Sequence, residues 1–98
     1  MTPEFEWDAK KAETNLAKHG VAFEEALTVF ADPFAKIFDD PDHSESERRE
    51  LIIGHSTNQR LFVVGFTERE PRTRIIGARE ATAHERRDYE QNTAKRTT

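Results

Sequence analysis

The sequence has no cysteine, so neither disulfide bridges nor thiolate metal sites are open to it. It also lacks a long apolar run: no stretch approaches the ~20 residues of a membrane span, and the opening MTPEFEWDAKK carries no hydrophobic signal segment. These absences leave no membrane partner in the reading and favour the cytoplasm. Apolar residues make up only 35% of the chain, the same share as charged ones. With 98 residues there is room for a single domain, 1–98, and one modest core, much of which the seven phenylalanines must supply. No internal repeat or low-complexity segment is present.

The net charge is −4, but it is unevenly spread. Residues 1–50 hold 13 acidic and 6 basic side chains, whereas residues 51–98 hold 6 acidic and 9 basic. The second half can therefore present a basic surface although the whole chain is acidic, and nucleic acid is not excluded as a partner.

Local patterns predict an α+β fold. FEW (Phe5 to Trp7) reads as a short strand, and Asp8 as the N-cap of a helix with Ala9, Ala12, Leu16 and Ala17 inward, closed by Gly20. Phe23, Ala26, Leu27 and Phe30 fall at i, i+3, i+4 and i+7, a second helix stopped by Asp32-Pro33. AKIFDD is a strand, and the polar PDHSESERR an exposed loop. Three further strands follow, ELIIGHS, RLFVVGFTER and TRIIGAR, with linkers short enough to force antiparallel hairpins. Thr82 and Glu85 form a capping box that opens a last helix, and residues after about Gln91 lose their apolar pattern and are expected to fray. The expected architecture is an antiparallel sheet with two N-terminal helices and one C-terminal helix packed on it.

The hairpins bear on function. With turns over Thr57 to Arg60 and Arg69 to Arg72, Phe62 pairs with both His55 and Arg79, which then share a row and a face ~10 Å apart. Arg60 opens the middle strand at that same end, whereas Arg69 and Arg72 lie at the far hairpin tip and read as solvated. Two arginines and an imidazole at this spacing suit a phosphodiester: guanidinium matches phosphate oxygens, and histidine moves protons near neutral pH. The bland alternative is ordinary surface scatter of charged residues.

The segments FEWDAKKAETNLAKHGVAFEEALTVFADP, DHSESERRELIIGHS, RLFVVGFTER and RTRIIGAREATAHERRDYE, in that order from Phe5 to Glu90, resemble the BrnT toxins of bacterial type II toxin–antitoxin modules. The resemblance implies a RelE-like fold, a ribonuclease that inhibits translation, and neutralisation by BrnA, an antitoxin with a ribbon-helix-helix DNA-binding part. It also implies contact with operator DNA only through that antitoxin, in a toxin–antitoxin heterotetramer. Arg60 in QRLFVV matches the arginine that RelE-like proteins commonly carry at the start of a central strand, and Arg79 in GAR matches a second one after the last strand's glycine. Tyr89 or His84 is the candidate for a functional residue in the C-terminal helix. The lysine bases of some RelE members are not evident, and His55 is the nearest substitute. Where BrnT sequences often read SAR, this chain has Gly77-Ala78-Arg79, without the serine hydroxyl.

Other motifs take plainer readings. KHG, Lys18 to Gly20, ends a helix, where cations complement the dipole. Trp7 is a core anchor. Asp39, Asp40, Asp42, His43, Glu45 and Glu47 lack the glycine and spacing of a calcium loop and read as a solvated acidic loop. The expected function is thus a metal-independent endoribonuclease acting on messenger RNA without a cofactor. Arg60 and Arg79 would hold the phosphate, and His55 or Tyr89 would handle protons. The alternative is a non-catalytic module whose basic edge holds an acidic protein segment or a nucleic-acid backbone.

Overall fold

The computed structural model describes residues 4–41 and 48–97, with side chains described as far as residue 92. Its elements are β1 (Phe5–Glu6), α1 (Ala9–His19), α2 (Phe23–Ala26) tightening into a 3-10 turn (Leu27–Ala31), β2 (Lys36–Asp39), β3 (Glu50–His55), β4 (Leu61–Arg69), β5 (Arg72–Glu80) and α3 (Ala83–Thr97). The strands form one sheet in the order β1-β5-β4-β3-β2. Three of its ladders are antiparallel, as the short linkers require. The fourth is parallel, because β1 joins beside β5 with Phe5 opposite Thr73. The α+β class stands, but the sheet is mixed: a two-residue strand carries no local signal of its direction.

Helices cover both faces. Ile52, Phe62, Val64, Phe66, Ile75 and Ala78 pack beneath α1 and α2 with Val21, Phe23, Ala26 and Val29. Trp7 anchors this core edge-on against Phe23, at 5.9 Å between ring centroids. On the other face Ile53, Leu61 and Val63 meet Tyr89 of α3, with Phe34, Leu51 and Ala81 around them.

Asp8 caps α1 through its carboxylate, which accepts from the amides of Lys10 (2.8 Å) and Lys11 (3.2 Å). Gly20 ends the helix at φ 69°, a left-handed turn that glycine makes without a Cβ penalty. The inward face of α1 is not the expected one. Ala12 packs on the core, but Leu16 is 51% exposed, and Ala9 and Ala17 face solvent. Asn15 turns to the sheet instead: its amide donates to Val21 O (3.0 Å) and Ala78 O (2.8 Å), and its carbonyl accepts from Ala78 N (3.1 Å). The reason is that β1 pairs with β5 only as far as Arg74. Beyond it the β5 edge has unpaired backbone groups that a leucine cannot satisfy and an amide can.

Both hairpin registers differ from expectation by one residue. His55 pairs with Leu61 across a tighter first turn. In the second hairpin Arg69 does oppose Arg72, but Ile76 is an extra residue on β5 where β4 passes from Gly65 to Phe66. This β-bulge moves Arg79 from Phe62 to Val63. His55 and Arg79 therefore keep a common face, because Leu61 and Val63 point the same way, but their row is lost. They are offset by two residues along the strand, ~12 Å apart in all.

Candidate active site

The C-terminal end of β3, the middle of α3 and the loop after the 3-10 turn line an open cleft of about 620 Å³. His55, Tyr89 and Asp32 line it, with Thr28, Thr57 and Gln59 at its polar rim. Asp32 organises the group. Its Oδ2 accepts from the Tyr89 hydroxyl (2.6 Å) and from the His55 backbone amide (2.7 Å), and its Oδ1 accepts from the Phe34 amide (2.9 Å). Its side chain is only 8% exposed. Burial pushes the Asp32 carboxyl pKa up, but the hydrogen bonds from Tyr89, His55 and Phe34 outweigh it and hold the value below the usual carboxylate range.

The hydrogen-bond pattern assigns the histidine tautomer. The Tyr89 proton is committed to Asp32, so its oxygen is an acceptor toward His55 Nδ1, 3.3 Å away. Nδ1 then carries the proton, and Nε2 of the neutral ring is left as a free base. The two rings meet edge-on at 5.2 Å, and the His55 side chain remains one-third exposed.

Gly54 allows this closeness. A Cβ there would lie 3.0 Å from Asp32 Oδ2, 3.0 Å from Ala35 Cβ and 3.1 Å from Val29 Cγ1.

The structure brings His55 and Tyr89 together but does not gather the arginines with them. Arg79 lies on the α3 face and is held by Glu85, Nη1 to Oε1 at 2.8 Å and Nη2 to Oε2 at 3.0 Å. The Arg79 hydrogen bond is the main cause that lowers the Glu85 pKa to about 2, and the pair correspondingly raises that of Arg79. Glu85 also closes the capping box with Thr82, accepting from Thr82 N at 2.8 Å.

Arg60 sits at the expected end of the sheet but on the opposite face, over the Phe62 ring at 4.9 Å. Strand alternation forces this, since Leu61 shares the His55 face and its neighbour cannot. The Arg60 guanidinium bonds Glu80 (2.9 Å), Glu25 (3.1 Å) and the Gly20 carbonyl (3.3 Å). Hydrogen bonding to Glu80 is the largest influence raising its pKa. Ser56, next to His55, ties the cleft to the Arg60 group by donating to Glu25 Oε2 at 2.7 Å.

His84 is exposed and pairs with Asp88 at 3.4 Å, away from the cleft lining. Arg69 and Arg72 are exposed at the hairpin tip. Of the acidic loop, residues 42–47 lie outside the described residues, and Asp39 meets Arg48 at 3.6 Å. Asp32 escaped the sequence reading because Asp-Pro reads as a helix stop. Its partners lie 23 and 57 residues away.

The protein is thus a small α+β domain with a mixed sheet covered on both faces and this cleft at one end. The chain is similar in structure to the ribonuclease toxin BrnT of Brucella abortus, solved at 1.1 Å resolution. The TM-score is 0.63 and the identity 26%, over 83% of this chain and 99% of that one. The family model for the ribonuclease toxin BrnT of type II toxin–antitoxin systems matches residues 7–85, and the chain belongs to that family. The matched segment holds Asp32, His55, Arg60, Arg79 and Glu85, while Tyr89 lies beyond it. Among curated proteins none matches. A ribonuclease toxin of a type II system implies an RNA substrate and an antitoxin partner. No helix among the described residues is long and apolar enough to cross a membrane.

Proposed function

We propose that the chain is an endoribonuclease that cleaves messenger RNA by internal transesterification and so inhibits translation in the cytoplasm. The observation that supports this most is the Asp32–Tyr89–His55 chain beside an open cleft, a pattern that favours the proton on Nδ1 of the neutral ring and keeps Nε2 for the role of base. His55 takes the proton of a ribose 2′-hydroxyl, and the 2′ oxygen forms a bond to the adjacent phosphorus. The bond from phosphorus to the 5′ oxygen breaks, and that oxygen takes up a proton from solvent. The products are a 2′,3′-cyclic phosphate and a 5′-hydroxyl. Tyr89 and the charge of Asp32 behind it stabilise the imidazolium as it forms.

Arg79, on the His55 face, holds the phosphate and its developing charge by exchanging Glu85 for phosphate oxygens. Arg60 holds a neighbouring phosphate at the rim. Its Glu80 partner is 60% exposed and readily displaced, whereas Glu25, at 14%, keeps the guanidinium in place. In this reading side chains meet the attacking hydroxyl and the charge on the phosphate, and solvent protonates the leaving oxygen, so the reaction needs no metal ion or cofactor. The neutralising partner in this reading is a BrnA-like ribbon-helix-helix antitoxin, which forms a heterotetramer with the toxin and carries its contact with operator DNA.

Expression in a bacterial host tests the reading. Growth arrest is expected from the wild-type chain, relief on co-expression of the antitoxin, and relief by Arg79→Ala, since loss of one transition-state contact costs about a hundredfold in rate. A folded, soluble Arg79→Ala protein that remains fully toxic would remove Arg79 from the site. The non-catalytic alternative is distinguished by turnover, because a binding module does not cleave RNA in excess over itself.

A further inference from the structure

The arginines of the site are already occupied: Arg60 by Glu25 and Glu80, Arg79 by Glu85, and nearby Arg74 by Glu6. One row of positive charge not held in ion pairs lies on α1. Lys10, Lys11 and Lys18 are exposed, and none of them makes a salt bridge among the described residues. Lys11, Thr14 and Lys18 fall at i, i+3 and i+7, so they form one row along the helix. With Lys10, His19 and Ile76 they line a shallow groove of about 290 Å³ between α1 and the bulge of β5.

The acidic residues of α1 do not neutralise this row. Asp8 turns its carboxylate into the helix N-terminus. Its pKa is lowered first by the Lys11 and Lys10 amides and only then by the nearby charges of Lys11 and Arg74. Glu13 is two positions from Lys11 and five from Lys18, which puts it on the far side of the helix.

The row also leads to the site. The Gly20 carbonyl that ends α1 accepts from Arg60 Nη2, at the same end of the sheet as His55. Lys11 and Lys18 are ~10 Å apart along the helix axis, a span of a few nucleotides of single strand.

We infer that the Lys11–Thr14–Lys18 face of α1 is a docking track for the backbone of single-stranded RNA flanking the cleavage point. The track reads charge and not sequence, and it continues through Arg60 to the cleft. This rests on the reading of RNA as substrate. An acidic protein segment fits the face less well, because protein hot spots need apolar anchors. The groove offers only Ile76, whereas a phosphate backbone binds by charge alone.

The test uses the full chain and a 2′-O-methyl RNA oligonucleotide, which lacks the attacking hydroxyl and cannot be cleaved. Its affinity is measured against salt for the wild type, for Lys11→Gln/Lys18→Gln, and for the control Lys36→Gln on the opposite sheet edge. Each phosphate contact on a single strand contributes ~0.7 to the slope of log K against log salt, so the double variant should lose ~1.4. The control should lose nothing, and Lys11→Arg/Lys18→Arg should keep the full slope. An unchanged slope in the double variant would overturn the inference, as would a loss confined to antitoxin affinity. Cleavage of unmodified RNA is scored separately. Cleavage with an unchanged slope refutes only the track, and RNA binding with the reduced slope but no wild-type cleavage refutes only the nuclease reading.

Discussion

Replacing Asp32 by asparagine changes one atom of the cleft and should silence the enzyme by switching a tautomer. In the wild type, Tyr89 donates to Asp32 Oδ2 and is left as the acceptor toward His55 Nδ1. An amide nitrogen in the Oδ2 position donates instead. The Tyr89 hydroxyl must then turn its proton to Nδ1, and the ring proton moves to Nε2, where a base is required. The lost base is worth between about a hundredfold and ten-thousandfold in rate.

The same substitution sets two donors against each other, the His55 amide below and the asparagine amide itself. One unsatisfied buried donor costs about 1–3 kcal/mol. For a domain of this size that lowers the melting temperature by ~10 °C and leaves it folded at 25 °C. Single-turnover cleavage, thermal melting and nitrogen NMR of the imidazole read the three consequences. The expected result is a loss of about a thousandfold in rate with His55 protonated on Nε2. An Asp32→Asn protein that cleaves within threefold of wild type, or a wild-type ring already protonated on Nε2, would refute the relay.

Two further outcomes follow from the packing. The Glu85 carboxyl titrates at about 2 when folded against an ordinary 4.5, so the unfolded chain binds that proton more readily. The stability from the Arg79 pair is therefore complete above pH ~5 and is lost as the pH falls through 4.5 toward 2. The difference corresponds to ~3 kcal/mol. Solvent screening reduces it to ~1 kcal/mol, because the Arg79 side chain is 40% exposed. Denaturant melts across that range should show the slope, and Glu85→Gln should flatten it. Gly54→Ala should destabilise the protein by about 1–3 kcal/mol and lower activity as well, since the new methyl displaces Asp32. A Gly54→Ala enzyme with wild-type rate and stability would show that the Asp32 position tolerates movement.

The sequence carried the strands and the caps, because β-branched runs between turn residues and the Asp8, Gly20 and Thr82–Glu85 signals are local. What failed was long-range or depended on counting residues. The Ile76 bulge has no signature beyond a nearby glycine, and it moved Arg79 by one position. The tighter turn before Leu61 moved His55 by one, so the two displacements together preserved the common face that each alone would have destroyed. The face of Arg60 was legible, since it stands next to Leu61 on an alternating strand, but grouping residues by their end of the sheet concealed it. Asn15 and Asp32 were not legible. One replaces a missing strand on β5, and the other joins β3 to α3 through partners distant in the chain.

The central claim is that His55 drives 2′-hydroxyl attack without a metal, and mapping the ends of cleaved RNA tests it most directly. Purified toxin is mixed with excess RNA in the presence of chelator, and the new termini are identified chemically. The expected products carry 2′,3′-cyclic phosphates and 5′-hydroxyls, accumulate beyond one per enzyme, and vanish with a folded His55→Ala variant. Cleavage that stops in chelator and returns with magnesium, or that leaves 5′-phosphates, would contradict the claim.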